Sequence, residues 1–121
     1  MPRPIKCRKV CRLPDVNEFR PAGGKSRCVI LTVDEYETIR LIDREGFSQE
    51  ECAGFMQIAR TTVQQIYNSA RFKIAEALVD GTGIRIEGGS YTLCDGSEKQ
   101  CRCGGCSKHR SMICDNNQRQ L

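Results

Sequence analysis

Several things are scarce in this chain of 121 residues, and each scarcity closes off a class of protein. No stretch approaches 18 uncharged apolar residues, so no membrane-spanning helix is expected. The opening Met1-Pro2-Arg3-Pro4-Ile5-Lys6-Cys7 is basic and leads into no apolar run. It does not read as a secretory signal, and the expected compartment is the cytoplasm. Tryptophan is absent, and histidine occurs once, at His109. Without a second histidine, most His-based acid–base and triad schemes fall away. There is no phosphate-cradling loop and no pair of acid–base residues in a pocket-forming context, so the sequence does not read as an enzyme. The length fits one compact domain with or without a tail, and is too short for a barrel or a two-domain dehydrogenase.

Cysteine, by contrast, is abundant, with nine in the chain. In a reducing compartment a disulfide framework is not expected, and clustered thiols point to metal binding or redox chemistry. The charge is uneven. Residues 1–27 carry a net +6, residues 28–58 a net −5, residues 59–81 a net +1 and residues 82–121 a net +2, within a total of +4. A basic segment ahead of an acidic one suggests a surface for a polyanion on one side only.

All four prolines and the Gly23-Gly24 pair fall in the first 27 residues, which reads as an extended basic arm over 1–26. Arg27-Cys28-Val29-Ile30-Leu31 reads as a short buried strand. Thr32 and Glu35 can form a capping box for a first helix carrying Val33, Tyr36, Ile39 and Ile42, with Gly46 as its stop. Ser48 and Glu51 form a second such box. A third helix follows, its stripe running through Val63, Ile66, Tyr67, Ala70, Ile74, Ala77 and Leu78 and ending near Asp80-Gly81. Ile84–Glu87 and Ser90–Leu93 flank Gly88-Gly89 and read as a β-hairpin with a tight primed turn, able to act as a wing or to pair with Arg27–Leu31. The expected fold is mainly α: three helices centred on a helix-turn-helix, a short strand and a C-terminal hairpin over 27–93, then a cysteine-rich tail over 94–121.

The span Gln49–Ile66 carries the helix-turn-helix pattern. Ala53 is the small residue where two helices approach, and Cys52, Met56, Ile58, Val63 and Ile66 are the apolar contacts that hold them. Two positions depart from the usual pattern: Gln57 occupies the turn where glycine is common, and Ala59 stands where Ser or Thr caps the second helix. Thr61 or Thr62 can cap a later start. If the unit reads DNA, the outward residues Arg60, Thr61, Thr62, Gln64, Gln65 and Asn68 reach base edges, Arg favouring guanine and Gln or Asn adenine. Arg71 and Lys73 are placed for phosphates, as are Arg3, Lys6, Arg8, Lys9 and Arg12 of the arm.

The segment Ser48–Glu51 through Arg60–Val63 to Ala70-Arg71 is similar to region 4 of sigma factors, the part that reads the −35 promoter element. Residues 1–93 resemble more closely the domain of unknown function 134 family, prokaryotic proteins described as predicted DNA-binding proteins. Met1–Pro4, Phe19–Gly23, Leu31–Glu35, Ile39–Leu41, Ala70-Arg71, Ala75–Leu78 and Arg85–Gly89 carry that resemblance. It implies a helix-turn-helix DNA binder, without implying an operator. There is no room for a polymerase-binding region 2, so a sigma factor is not implied.

Cys94, Cys101, Cys103, Cys106 and Cys114 lie within 21 residues around Gly104-Gly105. Three thiolates on a glycine loop, a fourth within reach and His109 in reserve suit a metal, either zinc or an iron–sulfur cluster. Cys52 and Cys28 read as small core hydrophobes, while Cys7 and Cys11 stay open. The sequence thus reads as a sequence-specific DNA-binding transcriptional regulator with a metal- or redox-responsive tail. Double-stranded DNA is the expected partner, and a homodimer is left open, with no seam visible in the sequence. The alternative is an iron–sulfur or metal-handling redox protein whose helical pair binds a protein partner.

Overall fold

The computed structural model describes residues 8–24 and 27–94. Strands β1 (Arg8–Val10), β2 (Glu18–Phe19) and β3 (Cys28–Leu31) precede helix α1 (Val33–Thr38), which continues without a break as a π-helical turn over Ile39–Arg44. Helices α2 (Gln49–Met56) and α3 (Arg60–Asp80) follow, then strands β4 (Gly83–Ile86) and β5 (Tyr91–Leu93).

The helix starts follow local chemistry. Thr32 Oγ1 accepts from the Glu35 amide while Glu35 returns its carboxylate to the Thr32 amide at 2.9 Å, and Ser48 and Glu51 do the same at 3.0 and 2.9 Å. Helix α3 begins at Arg60, not at a later threonine, and its N-cap Ala59 offers no side-chain bond. Its 21 residues span about 31 Å.

The strands correct the mainly α expectation to a mixed α/β domain. Ile84–Glu87 and Ser90–Leu93 form no hairpin. Strand β4 is the centre of a three-stranded sheet, antiparallel to β2 and parallel to β3, whereas β5 pairs in parallel with β1. Gly88 and Gly89 both take positive φ, as a turn would require. Yet Gly88 O accepts from the Val33 amide at 3.0 Å, and a Cβ on Gly89 would collide with Asp34 and Thr32. The glycine pair is a crossing point over the start of α1, and at Gly89 only bare backbone fits. The predicted pairing of this segment with Arg27–Leu31 is present through β4. Strand β3 lies at a sheet edge with Ile30 exposed, so it is not the buried strand expected.

Two apolar clusters result. Val10, Leu31, Val33, Ala70 and Ile86 pack where α1 and α3 meet the strands, and Leu41, Cys52, Ala53, Met56 and Val63 pack where α2 meets α3, joined by Cys11 and Cys94. The expected helix-pair contacts hold, with Ile58 packed against the second cluster and Ile66 buried. Leu78, assigned to the core stripe from its spacing, is exposed instead.

Candidate nucleic-acid interface

The three residues Gln57, Ile58 and Ala59 join α2 to α3. Gln57 takes the left-handed conformation at φ 60° with its amide bonded to Ala53 O, doing with a side chain what glycine does more cheaply. Because Cys52, Ala53, Met56 and Val63 hold the underside, the opposite face of early α3 is left to solvent. Arg60, Thr61, Gln64, Gln65 and Asn68 are all exposed there, and Thr62 is half-buried. No acidic residue occurs from Arg60 to Lys73.

The structure does not bring every predicted contact residue to that face. Lys73 turns inward, its Nζ 2.8 Å from Glu35 Oε1. Arg71 donates to Tyr67 Oη at 3.0 Å, stacks 5.5 Å over that ring and lies 4.0 Å from Asp43. Arg8 lies 3.9 Å from the buried Asp34 carboxylate, Lys9 is half-buried in β1, and Arg12 faces Asp15 at 3.5 Å. Arg3 and Lys6 lie outside the described residues. Part of the charge separation along the sequence is thereby folded back on itself, the basic start meeting the acidic first helix.

Sequence reading missed that acidic network. Glu37 is buried and accepts from Arg40 at 2.9 and 3.0 Å and from the Cys11 amide at 3.2 Å, tying α1 to the end of β1. The Glu37–Arg40 spacing of three within a helix was the available signal. Glu35 similarly ties α1 to α3 through Lys73 and Ser69. Burial by itself would raise the Glu35 carboxyl, but hydrogen bonds from Lys73, Ser69 and the Thr32 amide outweigh it and hold the group below its ordinary value. Tyr67 is pushed upward by burial and by donating to Asp43 Oδ1 at 2.6 Å.

Of the predicted metal ligands, Cys94 is described, and it is buried. Its amide donates to Val10 O at 2.7 Å, extending the β1–β5 ladder by one step, so Cys94 falls beside Cys11 in register. Both belong to the cluster that holds Cys52. Burial, with a contribution from Glu37 opposed by Arg40, pushes the Cys52 thiol up to about 12, as suits the inert core role expected of it. Cys28 is half-buried. Cys7, Cys101, Cys103, Cys106, Cys114 and His109 lie outside the described residues. Among the described residues no group of three or more potential ligands converges.

Fold and surface together define a small mixed α/β domain that displays one long helix. The chain belongs to the family described as Protein of unknown function DUF134, matched over residues 1–94. It is 57% identical over 117 residues to the UPF0251 protein DSY3441 of Desulfitobacterium hafniense strain Y51, covering 94% of each chain. It is 51% identical over 102 residues to the UPF0251 protein Teth39_0655 of Thermoanaerobacter pseudethanolicus, covering 82% of this chain and 86% of that one. A UPF0251 protein of Moorella thermoacetica is 50% identical over 107 residues, covering 86% and 72%. No solved structure matches. Among the described residues, no helix is long and apolar enough to cross a membrane.

Proposed function

We propose that the chain is a sequence-specific double-stranded DNA-binding protein that regulates transcription, with α2 and α3 as its helix-turn-helix and the first half of α3 as the reading element. The observation that carries this reading is the exposed, acid-free row Arg60, Thr61, Gln64, Gln65 and Asn68 on a helix held rigidly from below. These side chains offer the donors and acceptors that major-groove edges demand. The resemblance to sigma region 4 points the same way. Arg60 is the one cation within the reading row, so Arg71 further along α3 and Arg3, Lys6, Lys9 and Arg12 of the arm carry the phosphate contacts in this reading, while Lys73 and Arg8 hold the fold.

The experiment is selection of the full chain against random double-stranded DNA, followed by affinity measurements across salt concentrations. The expected result is an enriched motif and a fall in log affinity with log salt, at a slope near −0.9 for each phosphate neutralised. No enrichment together with a slope near zero overturns the reading.

The tail is proposed as a metal or redox element, zinc or iron–sulfur, built on Cys94, Cys101, Cys103, Cys106 and Cys114. Cys94 standing beside Cys11 supports this, since one thiol of the set is then anchored in the domain core next to a second. Metal and acid-labile sulfide contents of anaerobically purified protein test it. Iron, sulfide and absorbance near 400 nm indicate a cluster, colourless stoichiometric zinc a structural site, and neither overturns the assignment.

A further inference from the structure

Thr61, Gln65, Asn68, Phe72, Ala75 and Val79 recur at spacings of four and three, so they form one outward line along α3, and every one is exposed or half-buried at most. Past Asn68 the line becomes apolar. Phe72 is 69% exposed and Val79 84%, with Leu78 beside them at 77%. Isolated exposed apolar residues are ordinary, but three large ones within eight positions, next to a recess, form a patch that favours an occupant. The recess is a groove of about 280 Å³ between α3 and β2, lined by Phe19, Pro21, Ala77, Leu78 and Ile84.

We propose that this face is a two-fold self-association surface whose occupant is the same face of a second copy, with the two α3 helices packed antiparallel about a point near Ala75-Glu76. An isologous contact requires a single surface to carry both a projection and a matching recess. Phe72 is the projection, and the groove beside Leu78 lies about 9 Å further along the helix. An antiparallel copy therefore delivers each Phe72 toward the other's groove. Charge agrees: within this stretch Arg71 lies toward one end and Glu76 and Asp80 toward the other. Antiparallel packing sets the positive end of each helix at the level of the negative end of its mate, and the helix dipoles oppose favourably. Parallel packing would set like against like. The chain's own residues 95–121 are a poor occupant, holding only Met112, Ile113 and Leu121 as large apolar residues.

The test is sedimentation of the full chain at several concentrations, with Phe72→Glu as the disrupting variant and Phe72→Trp as the probe. Because the chain has no tryptophan of its own, the probe's emission reports on position 72 alone. The expected result is a monomer–dimer equilibrium, weakened more than about thirty-fold by Phe72→Glu with unchanged circular dichroism. Emission of the introduced indole in Phe72→Trp should shift to the blue as the dimer forms. A monomer at all concentrations with that indole exposed overturns the proposal. So does a monomer with the indole already buried, which would make another segment of the chain the occupant. Open-ended oligomers, or a dimer indifferent to both Phe72→Glu and Val79→Glu, overturn it as well. Self-association is read without DNA, so its failure leaves the DNA reading standing, and the reverse.

Discussion

The two halves of α3 share one backbone, one buried underside and one outward line, and they differ in what that line carries. From Arg60 to Asn68 the exposed residues are Arg, Thr, Gln and Asn; from Phe72 to Val79 they include Phe, Leu and Val. A helix kept outward merely for solubility has no reason to change character midway. Polar groups without acids favour a polyanion with readable edges, whereas exposed aromatic and aliphatic groups favour removal from water. The same rigid element is divided between two occupants, and substitutions in one half should leave the other half's property intact.

The largest expected effect removes the frame both halves stand on. In Glu37→Ala the Arg40 guanidinium, 9% exposed, loses a carboxylate 2% exposed, and the Cys11 amide loses its acceptor. Breaking a buried pair costs about 3–5 kcal/mol, and because Arg40 keeps Glu45 at 3.6 Å the loss should fall toward the lower end of that range. Urea unfolding should show a loss of that order, with DNA binding and self-association failing together. A loss below about 1 kcal/mol would mean that the network does not support the helix.

A smaller effect separates the halves. Gln64→Ala should weaken binding to the selected DNA by about 1–3 kcal/mol and relax preference at one base pair, as expected for loss of a bidentate contact. Sedimentation of the same variant should match the unsubstituted protein. If Gln64→Ala also abolishes self-association, the division of the face is wrong.

Acid sharpens the comparison differently, because Glu35 and Lys73 pin α3 between its two halves. The Glu35 carboxyl sits below its ordinary value of 4.5, held there by Lys73, Ser69 and the Thr32 amide against the effect of burial. A depressed carboxyl stabilises the fold fully above that ordinary value, and the contribution disappears as pH falls from there through the lower folded value. Stability measured by urea should therefore decline below about pH 4.5, and Glu35→Gln should flatten that decline. An unchanged slope in Glu35→Gln would show that other carboxylates govern the acid limit.

What the sequence disclosed, and what it withheld, follows the range of the interactions. Thr32 with Glu35 and Ser48 with Glu51 were legible because a capping box closes within four residues. The strand partners were not. Gly88-Gly89 has the backbone of a turn, but β4 finds β2 and β3 while β5 finds β1, choices made by contacts more than 50 residues away in sequence. Leu78 shows the limit of periodicity: its spacing fits the core stripe, yet it lies at the edge of that arc, where only the neighbouring elements decide between core and solvent. The π-helical turn over Ile39–Arg44, with the Glu45 amide bonded to Arg40 O at 2.9 Å, carried no signal of its own. The reading row was legible residue by residue. That Lys73 and Arg8 belong to the frame was not, because charge alone does not reveal a partner 26 or 38 residues distant.

The smallest expected effect concerns where the reading half begins. Helices α1 and α2 start under side-chain caps, and α3 starts under Ala59, which supplies none. Introducing a cap with Ala59→Ser should raise stability by about 1 kcal/mol, and Ala59→Asp should do at least as well, since a carboxylate also favours the positive end of the helix. If the first half of α3 lies in a DNA groove, the two variants part company on binding. Serine adds no charge and should leave affinity within about two-fold, while aspartate sets a negative charge beside Arg60 and close to the phosphates, and should weaken affinity most at low salt. Self-association, seated ten or more residues further on, should be indifferent to both. Equal DNA affinities for the Ser and Asp variants at low salt would remove the start of α3 from the interface and shift the reading role away from this half of the helix.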